Sequence, residues 1–286
     1  MTSDRAVSSY YNRGNLLDRL NTALTNDGVD PARPSIEALA PYDQFHTRGL
    51  EATEEMAALI DAGPDDHILD IGSGIGGPAR YFAARFGCKV TGIDLTPDFC
   101  EVARHLTHLL ELEDKVEIKL GNALAMPFAD ATFDGAYSMN VSMNIADKAA
   151  FYREIYRVLK PGGWLVLSEI AKGEGGSVDY PTAWAKSEQT SFLSTPAETK
   201  GGLIAAGFEV VQLRSTIEEA RAFGARARVM VERGEKPPHR AIALVHGEGA
   251  SQAAANMARA LSQSCAVPVE VFARKPLHSD SSNRQR

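Results

Sequence analysis

Apolar and polar positions follow two alternating patterns between about residues 51 and 215. Short apolar runs rich in Ile, Val and Leu alternate with longer stretches in which apolar residues recur every three or four positions. The short runs predict buried strands, and the longer stretches predict amphipathic helices. We predict strands at 67–71, 89–93, 116–120, 133–139, 164–168 and 208–213. Strands that alternate with helices are typical of a parallel sheet covered on both faces, so the pattern predicts an α/β fold with a doubly wound sheet.

The predicted helices lie between these strands, at 51–61, at 77–86, from residue 97, from residue 147 and at 197–206. Pro97 stands at a first helical position, where its missing N–H is no loss. Asp147 can accept a hydrogen bond from the first turn of the helix that follows it. Pro161-Gly162-Gly163 comes after that helix and predicts its end.

Three regions lack this alternation of strands and helices, and they define the predicted domain organisation. Residues 1–50 contain Pro31, Pro34 and Pro41 with little regular pattern, and we expect an N-terminal cap laid over the core. The main domain is then 51–275, within which the polar, helical segment 216–265 is a lid or insertion before a last strand at 267–273. Residues 276–286 are polar and are expected to form a disordered tail.

Composition narrows the classes of function. The 286 residues are 44% hydrophobic and 23% charged, which is ordinary for a globular protein, and the net charge of −7 argues against nucleic acid as a partner. The three cysteines form no Cys-x-x-Cys or zinc spacing, so we expect reduced thiols, no metal site and a cytoplasmic location. No apolar run approaches the roughly 18 residues that a membrane span needs.

The informative motif is a glycine-rich turn after the first predicted strand. Segment 67–79 reads HILDIGSGIGGPA, so a strand runs into glycines and a helix follows at once. Glycines allow a sharp turn and a close approach of a ligand to the backbone. Asp94 ends the next strand, 18 residues beyond Gly76, where a carboxylate can accept hydrogen bonds from ribose hydroxyls.

Two cofactor classes compete for this motif. Gly72-x-Gly74-x-x-Gly77 also fits the dinucleotide pattern, which by itself is a weak signal and leaves a nicotinamide-dependent oxidoreductase open. Asp70, two residues before the first glycine, would repel a pyrophosphate but suits a cationic sulfonium. Segment 121–123 (GNA) follows the third predicted strand, and segment 157–163 (RVLKPGG) leads into the fifth.

These segments, in this order, resemble those of class I S-adenosylmethionine-dependent methyltransferases. The resemblance covers about residues 50–215 and implies a Rossmann-like, doubly wound sheet of seven strands whose last strand is antiparallel. By this resemblance the cofactor residues are Asp70, Gly72 and Gly74 for the methionine portion, Asp94 and Leu95 for the ribose, and Asn122 and Ala123 for the adenine. The family more often has Asp where Asn122 stands, but the amide carbonyl can still accept from the adenine amino group.

The wider chain is similar to a narrower group of small-molecule methyltransferases that includes the sarcosine/dimethylglycine N-methyltransferases. The supporting segments are 42–46 (YDQFH), 141–145 (VSMNI) and 180–184 (YPTAW). This similarity implies methylation of an amino acid or related amine nitrogen. Relatives with similar frameworks act on thioethers, phenols and other metabolites, and Met139-Asn140 stands where a larger polar pair is expected. A non-catalytic S-adenosylmethionine-binding protein is the alternative from another class.

Methyl transfer from a sulfonium is an in-line displacement, so the protein must align donor and acceptor and no protein nucleophile is needed. We predict His46 and Asn140 as catalytic residues, because a histidine can act as a base and residue 140 follows the fourth strand. The predicted substrate-binding residues are Tyr11, Asn144, Glu169 and Trp184. Each of these residues also has a competing interpretation. His46 would only form a hydrogen bond at a helix start, and Asn140 and Asn144 would only cap loops. Glu169 would be a solvated strand end, and Tyr11 and Trp184 would be ordinary aromatic packing. The 216–265 insertion also offers a surface for a homodimer.

Overall fold

The computed structural model describes residues 9–11 and 14–277, and within them seven strands form one sheet. The strands are β1 (His67–Ile71), β2 (Lys89–Asp94), β3 (Val116–Leu120), β4 (Phe133–Met139), β5 (Leu159–Lys172), β6 (Glu209–Ser215) and β7 (Ala266–Arg274). Their order is β3-β2-β1-β4-β5-β7-β6. Neighbours from β3 to β5 are parallel, whereas β7 is antiparallel to both β5 and β6. The predicted seven-stranded sheet with an antiparallel last strand is confirmed.

The helices precede, connect and follow these strands. They are α1 (Leu16–Asn26), α2 (Ile36–Asp43), α3 (Leu50–Leu59), α4 (Gly77–Phe86), α5 (Pro97–Leu109), α6 (Lys148–Val158), α7 (Pro196–Ala205), α8 (Ile217–Glu232), α9 (Ala241–His246) and α10 (Ala250–Ser262). Asp147 caps α6 by accepting from the Ala150 N–H at 2.8 Å. Residues 9–11 are also helical.

The sheet is covered on both faces by apolar helix stripes. On one face, Met56 of α3, Phe82 of α4 and Ala103 of α5 share a buried cluster with Ile68 and Val90. On the other face, side chains of α6 and α7 share a second cluster with those of the sheet, and its members include Phe151, Ile155, Leu203, Leu69 and Leu165. Because both faces are buried, the central strands consist of nearly continuous apolar residues, which is why the sequence pattern identified them.

Strand β5 is longer than the predicted 164–168. It pairs with β4 at Leu159 and again from Trp164, with an irregular stretch between these two points that includes Gly162 at φ +81°. At its other end β5 extends to Lys172, because β7 pairs with it over nine residues. The long antiparallel partner is separated from β5 by almost a hundred residues, so the local pattern does not predict this extension.

The N-terminal segment is more regular than its sequence pattern suggested, since it contains the helices α1 and α2. Leu16, Leu20 and Leu24 are spaced four apart on α1 and are buried together. They pack with Phe99 of α5 and with Leu244 of α9, so the N-terminal segment and the 216–265 insertion cover the same edge of the domain.

The last residues of the chain fall only partly within the structure. Of the predicted tail, 278–286 lie outside the described residues. Within 9–11 and 14–277, no helix combines the length and the apolar character that crossing a bilayer would require.

Candidate active site

A cleft of about 260 Å³ opens at the carboxyl edge of the parallel strands. Its walls come from the loops that follow β1, β2, β3 and β4. The chain order of the sheet reverses at β1, whose neighbours are β2 and β4. Ligands of open α/β sheets bind at such a reversal, outside the carboxyl ends of the strands. Among the lining residues are Gly72, Gly74, Asp94, Leu95, Asn122, Ala123, Asn140 and Asn144.

The glycine-rich loop after β1 forms the floor of this cleft. Gly72 and Gly74 have φ of +75° and +53°, a left-handed conformation that side-chain-bearing residues rarely adopt. A Cβ atom on Gly72 would lie 2.2 Å from Cγ2 of Val141. The Gly72 and Ser73 N–H groups donate to the Ile93 carbonyl at 2.8 and 3.1 Å, which ties the loop to the end of β2. These positions therefore require glycine for their backbone conformation and for the close packing of the loop.

Asp94 at the end of β2 holds the glycine loop and also lines the cleft. Its two carboxylate oxygens accept from the Gly74 N–H at 2.9 Å and from the Thr96 N–H at 2.8 Å. Burial raises the pKa of the Asp94 carboxyl above its usual range, although these backbone hydrogen bonds act in the opposite direction. Each carboxylate oxygen can accept more than one hydrogen bond, so Asp94 keeps acceptor capacity for a ligand in the cleft.

Asp70 lies behind the wall of the cleft. The side chain is 3% exposed, and the residues that line the cleft do not include it among those described. Its Oδ2 atom has no hydrogen-bond partner among the described residues. Burial raises the pKa of this carboxyl to about 7. Asp70 therefore lies outside the described lining of the cleft, although the resemblance implied that it lines the methionine portion.

Asn122 and Ala123 stand on the opposite wall, in the loop after β3. Asn122 Oδ1 accepts from the Leu124 N–H at 2.9 Å, which stabilises the turn of this loop. Ile93 and Leu124 line the cleft beside them. A flat aromatic ligand would find apolar surface on this side.

A second, smaller compartment of about 40 Å³ adjoins the cleft. Tyr11, Phe45 and Asn140 line both spaces and mark the boundary between them. The other lining residues of the second compartment are Met143, Ala183, Trp184, Ala241, Ile242, Val245 and His246. Among the described lining residues of this compartment there is no Lys, Arg, Asp or Glu.

Three of the predicted substrate-binding residues form one hydrogen-bonded chain along this boundary. The Tyr11 hydroxyl donates to Asn144 Oδ1 at 3.1 Å. The Asn144 amide donates to the Trp184 carbonyl at 2.7 Å. Burial raises the pKa of the Tyr11 hydroxyl well above its usual value, so this group remains protonated. The structure thus brings Tyr11, Asn144 and Trp184 together.

Asn140 occupies a constrained position between the two compartments. Its backbone is left-handed, with φ +57°. The side chain is hydrogen-bonded to Thr47 Oγ1 at 2.9 Å, and in the amide orientation that satisfies its neighbours it donates to the Ser168 carbonyl at 3.2 Å. Since a carboxamide is not a base at neutral pH, Asn140 can shape the passage between the compartments but cannot accept a proton.

His46 is not brought to the cleft. It is buried, and its Nε2 atom donates to the Gly49 carbonyl at 2.9 Å at the start of α3. Burial lowers the pKa of His46 to about 3, so the ring is neutral. Among the described residues that line either compartment, His46 is absent. The competing interpretation of a helix-entry histidine describes this geometry, because the ring is hydrogen-bonded to the Gly49 carbonyl where α3 begins.

Glu169 supports the wall from behind. Its Oε2 atom accepts from the Val141 and Ser142 N–H groups, each at 3.0 Å, and its Oε1 atom accepts from the Ser138 hydroxyl at 3.1 Å. Burial raises the pKa of Glu169 to about 7. The carboxyl group therefore anchors the loop that carries Asn140 and Asn144, whereas the sequence predicted that it would contact substrate.

Phe45 and His246 are among the lining residues that were not identified as candidates from the sequence. Phe45 lies in the quoted segment 42–46 and contacts the glycine loop, since a Cβ on Gly74 would lie 3.2 Å from its ring. His246 follows the apolar run 241–245 at the end of α9 and is 4% exposed. A histidine that ends an apolar stretch is a weak sequence signal, and only the fold shows that it reaches the second compartment.

Comparison with known proteins identifies the family of this chain. A methyltransferase-domain family model matches residues 69–167. Methyltransferase GfsG of Streptomyces halstedii is 30% identical over 225 residues, which cover 77% of this chain and 78% of that protein. A glycine/sarcosine/dimethylglycine N-methyltransferase of Actinopolyspora halophila is 32% identical over 129 residues, or 45% of this chain and 23% of that protein. This chain spans about a quarter to a third of the length of that protein and of several other relatives that it matches.

Solved structures share the fold over nearly the whole chain. A geranyl diphosphate C-methyltransferase from Streptomyces coelicolor A3(2), in complex with Mg²⁺, geranyl-S-thiolodiphosphate and S-adenosyl-L-homocysteine, superposes with a TM-score of 0.69. The alignment covers 96% of this chain and 98% of that one, at 19% identity. At this identity the likeness concerns the fold, including its N-terminal segment and its insertion before the last strand.

Proposed function

The chain belongs to the class I S-adenosylmethionine-dependent methyltransferases that act on small molecules, and from this premise we propose that its acceptor is a largely apolar, uncharged molecule. The membership decides against a nicotinamide-dependent oxidoreductase. It leaves the chemical class of the acceptor open, because related enzymes are named for amines, sterols and terpenes. The proposal rests on the residues that line the second compartment.

The first compartment fits the cofactor. We assign Gly72 and Gly74 to its methionine portion, Asp94 and Leu95 to its ribose, and Asn122 and Ala123 to its adenine. The left-handed glycines allow the tight loop that forms the floor of this compartment, and the partly exposed Asp94 carboxylate has acceptor capacity for hydroxyl groups. A buried carboxylate behind the loop, that of Asp70, favours a cationic ligand over an anionic one. When bound, S-adenosylmethionine supplies an electrophilic methyl group on its sulfonium sulfur.

We call the second compartment the acceptor compartment; its lining is mostly apolar, and no Lys or Arg is among the lining residues that the structure describes. An amino acid or a phosphorylated amine would bring an anionic group into this space, and a buried anion needs Arg, Lys or several N–H donors. Arg48, the basic residue of the N-terminal segment nearest to His46 in sequence, forms an ion pair with Glu55 and lines neither compartment among the described residues. Tyr11, Phe45 and Trp184 instead offer aromatic surface to an apolar molecule.

A second candidate is an amine that carries no carboxylate or phosphate. The same three aromatic side chains could hold a cation through their ring faces. In this candidate the methyl acceptor is still a nitrogen, as the sequence predicted, but the acceptor molecule is not an amino acid. Benzylamine tests it beside the lead candidate.

Release of S-adenosylhomocysteine tests both candidates. The purified protein and S-adenosylmethionine are mixed with 2-naphthol, geraniol, benzylamine, glycine or sarcosine. Turnover of the neutral apolar compounds supports the lead candidate, and turnover of benzylamine alone supports the second. Turnover confined to glycine or sarcosine would show that the acceptor compartment binds a carboxylate and would refute the proposal.

A matched pair of variants links the result to the compartment. Ile242→Arg places a cation in its wall and is expected to weaken binding of 2-naphthol at least tenfold, while calorimetry gives unchanged affinity for S-adenosylhomocysteine. Ile204→Arg makes the same change at an exposed position of α7 and should leave both affinities unchanged. Equal effects of the two variants would remove the link between this wall and the acceptor.

A further inference from the structure

A partly buried lysine holds the loop that joins β4 to α6. Lys148 is the first residue of α6, and its Nζ atom donates to the Ser142 and Ile145 carbonyl groups, each at 2.5 Å. The same atom donates to the Phe192 carbonyl at 2.6 Å. Burial lowers the pKa of the Lys148 ammonium to about 8, which leaves it protonated at pH 7. An ammonium group has three N–H donors, so the three carbonyls use all of them and none is left for a ligand.

These carbonyl partners explain why a lysine stands at the start of a helix. The positive end of the helix dipole lies there and disfavours a cation. The side chain of Lys148 reaches back to the short turn Ser142–Asn144 and to the residue after it. Glu169 accepts from N–H groups at the start of the same turn. A carboxyl group and an ammonium group thus hold this turn together, the first through N–H groups and the second through carbonyl groups.

The third carbonyl ties a wall of the acceptor compartment to this loop. Phe192 also donates its N–H to the Met143 carbonyl at 2.7 Å. Ser191, its neighbour in sequence, accepts from the Trp184 indole N–H at 2.9 Å. Met143 and Trp184 both line the acceptor compartment. Lys148 therefore joins the two chain segments that carry these side chains.

Lys148 acts on this wall from outside it. Among the described residues that line the cleft or the acceptor compartment, Lys148 is absent. Resting on the proposed function, we propose that Lys148 is a positioning residue, which holds Met143 and Trp184 in the arrangement that the apolar acceptor binds. A wall that is ordered before binding spares the acceptor the entropic cost of ordering it. Loss of the ammonium group should therefore weaken acceptor binding, although the residue does not line the compartment.

Calorimetry at pH 7 tests the proposal on protein saturated with S-adenosylhomocysteine. Lys148→Met keeps a chain of similar length but removes all three donors, and the Kd for 2-naphthol should rise about tenfold or more. The number of S-adenosylhomocysteine sites should stay at the wild-type value, which shows that the variant is folded. Lys148→Arg retains a cation with N–H donors, so its Kd should lie between those of wild type and Lys148→Met. Lys200→Met makes the same change at an exposed position of α7 and is the control, with an unchanged Kd.

Hydrogen exchange measured by mass spectrometry provides the second readout. Segment 183–192 should exchange faster in Lys148→Met than in wild type, because it has lost a link to the loop after β4. Segment 67–71, which forms β1 in the sheet, should exchange at the wild-type rate. Faster exchange in both segments would show a general loss of stability and would overturn the positioning role.

The other outcomes of the calorimetry separate this inference from the proposed function. If wild type binds 2-naphthol and Lys148→Met binds it equally well, the role of Lys148 is overturned and the apolar acceptor stands. If Lys148→Met has no S-adenosylhomocysteine sites, the residue serves folding, and the positioning role is overturned as well. If wild type does not bind 2-naphthol, the proposed acceptor is refuted and this inference with it.

Discussion

Arg80 of α4 forms an ion pair with Asp43 at the end of α2, with 2.9 Å between Nη2 and Oδ2. Both side chains are inaccessible to water, at 0% and 1% exposure. Helix α4 begins directly after the glycine-rich loop, and a Cβ on Gly77 would lie 2.4 Å from the Asp43 carbonyl oxygen. The N-terminal segment is therefore fixed to the cofactor loop by a buried charge pair and by close packing.

Removing one partner of this pair should destabilise the protein strongly. Asp43→Asn leaves the Arg80 guanidinium buried without its counter-charge, which costs about 3–5 kcal/mol in the free energy of unfolding. Urea unfolding followed by circular dichroism measures the loss. The double variant Asp43→Leu with Arg80→Met removes both charges and should recover most of it, because an apolar pair of similar size needs no solvation.

The control for this prediction is Asp61→Asn, which makes the same chemical change at an exposed position. It should alter the unfolding free energy by no more than about 0.5 kcal/mol. An Asp43→Asn variant as stable as Asp61→Asn would show that the buried pair contributes little to this fold.

Much of the central sheet could be predicted from local pattern, and the reason is physical. Strands β1, β3 and β4 coincide with their predicted ranges, because β1 and β4 are short runs buried on both faces and β3 alternates buried and exposed residues. Helix α1 was missed although Leu16, Leu20 and Leu24 mark its buried stripe. The prolines after it suggested an irregular chain. Pro31 and Pro34 lie after the end of α1, however, and Pro41 lies within α2.

The acceptor side of the site was harder to predict, since its residues meet only through long-range folding. Tyr11 and His246 lie near opposite ends of the chain and share one compartment. A strand-end carboxylate such as Glu169 has the same local pattern whether it faces a ligand or accepts from a neighbouring loop. Periodicity reports burial along one element, so it cannot distinguish these two cases.

Gly72→Ala should abolish cofactor binding. The left-handed backbone costs a side-chain-bearing residue about 1–3 kcal/mol, and the added methyl group would overlap the Val141 side chain. Calorimetry with S-adenosylhomocysteine should give no measurable heat, and urea unfolding should show the loss of stability. Adding Val141→Ala should recover the part due to overlap and leave the backbone strain. Gly63→Ala, where the added methyl group meets open space, should match the wild type in both measurements.

Asp94→Asn should weaken cofactor binding without unfolding the chain. The amide keeps one acceptor oxygen but turns an N–H group toward Gly74 or Thr96, each of which donates in the wild type. Loss of a charged acceptor is worth about 1–3 kcal/mol, so the Kd for S-adenosylhomocysteine should rise roughly 5- to 150-fold. Glu101→Gln on the exposed side of α5 is the control, with an unchanged Kd. Equal Kd values for the two variants would refute the role assigned to Asp94.

Glu169 should make the protein less stable as the pH rises from about 5 to 8. Burial raises its folded-state pKa from 4.5 to about 7, so between these values the folded protein holds a proton that the unfolded chain has released. The free energy of unfolding therefore falls with rising pH, by up to about 3 kcal/mol from this group alone. Glu169→Gln is uncharged throughout and lacks this contribution.

The difference between wild type and Glu169→Gln isolates the effect, because Asp70, whose pKa burial also raises to about 7, is present in both proteins. Urea unfolding at pH 5, 6, 7 and 8 should show the wild type losing stability relative to the variant across this range. Glu174→Gln changes an exposed residue and is the control. The difference in unfolding free energy between wild type and this variant should stay constant from pH 5 to 8. A constant difference for Glu169→Gln as well would mean that the Val141 and Ser142 N–H groups stabilise the carboxylate enough to cancel the effect of its burial.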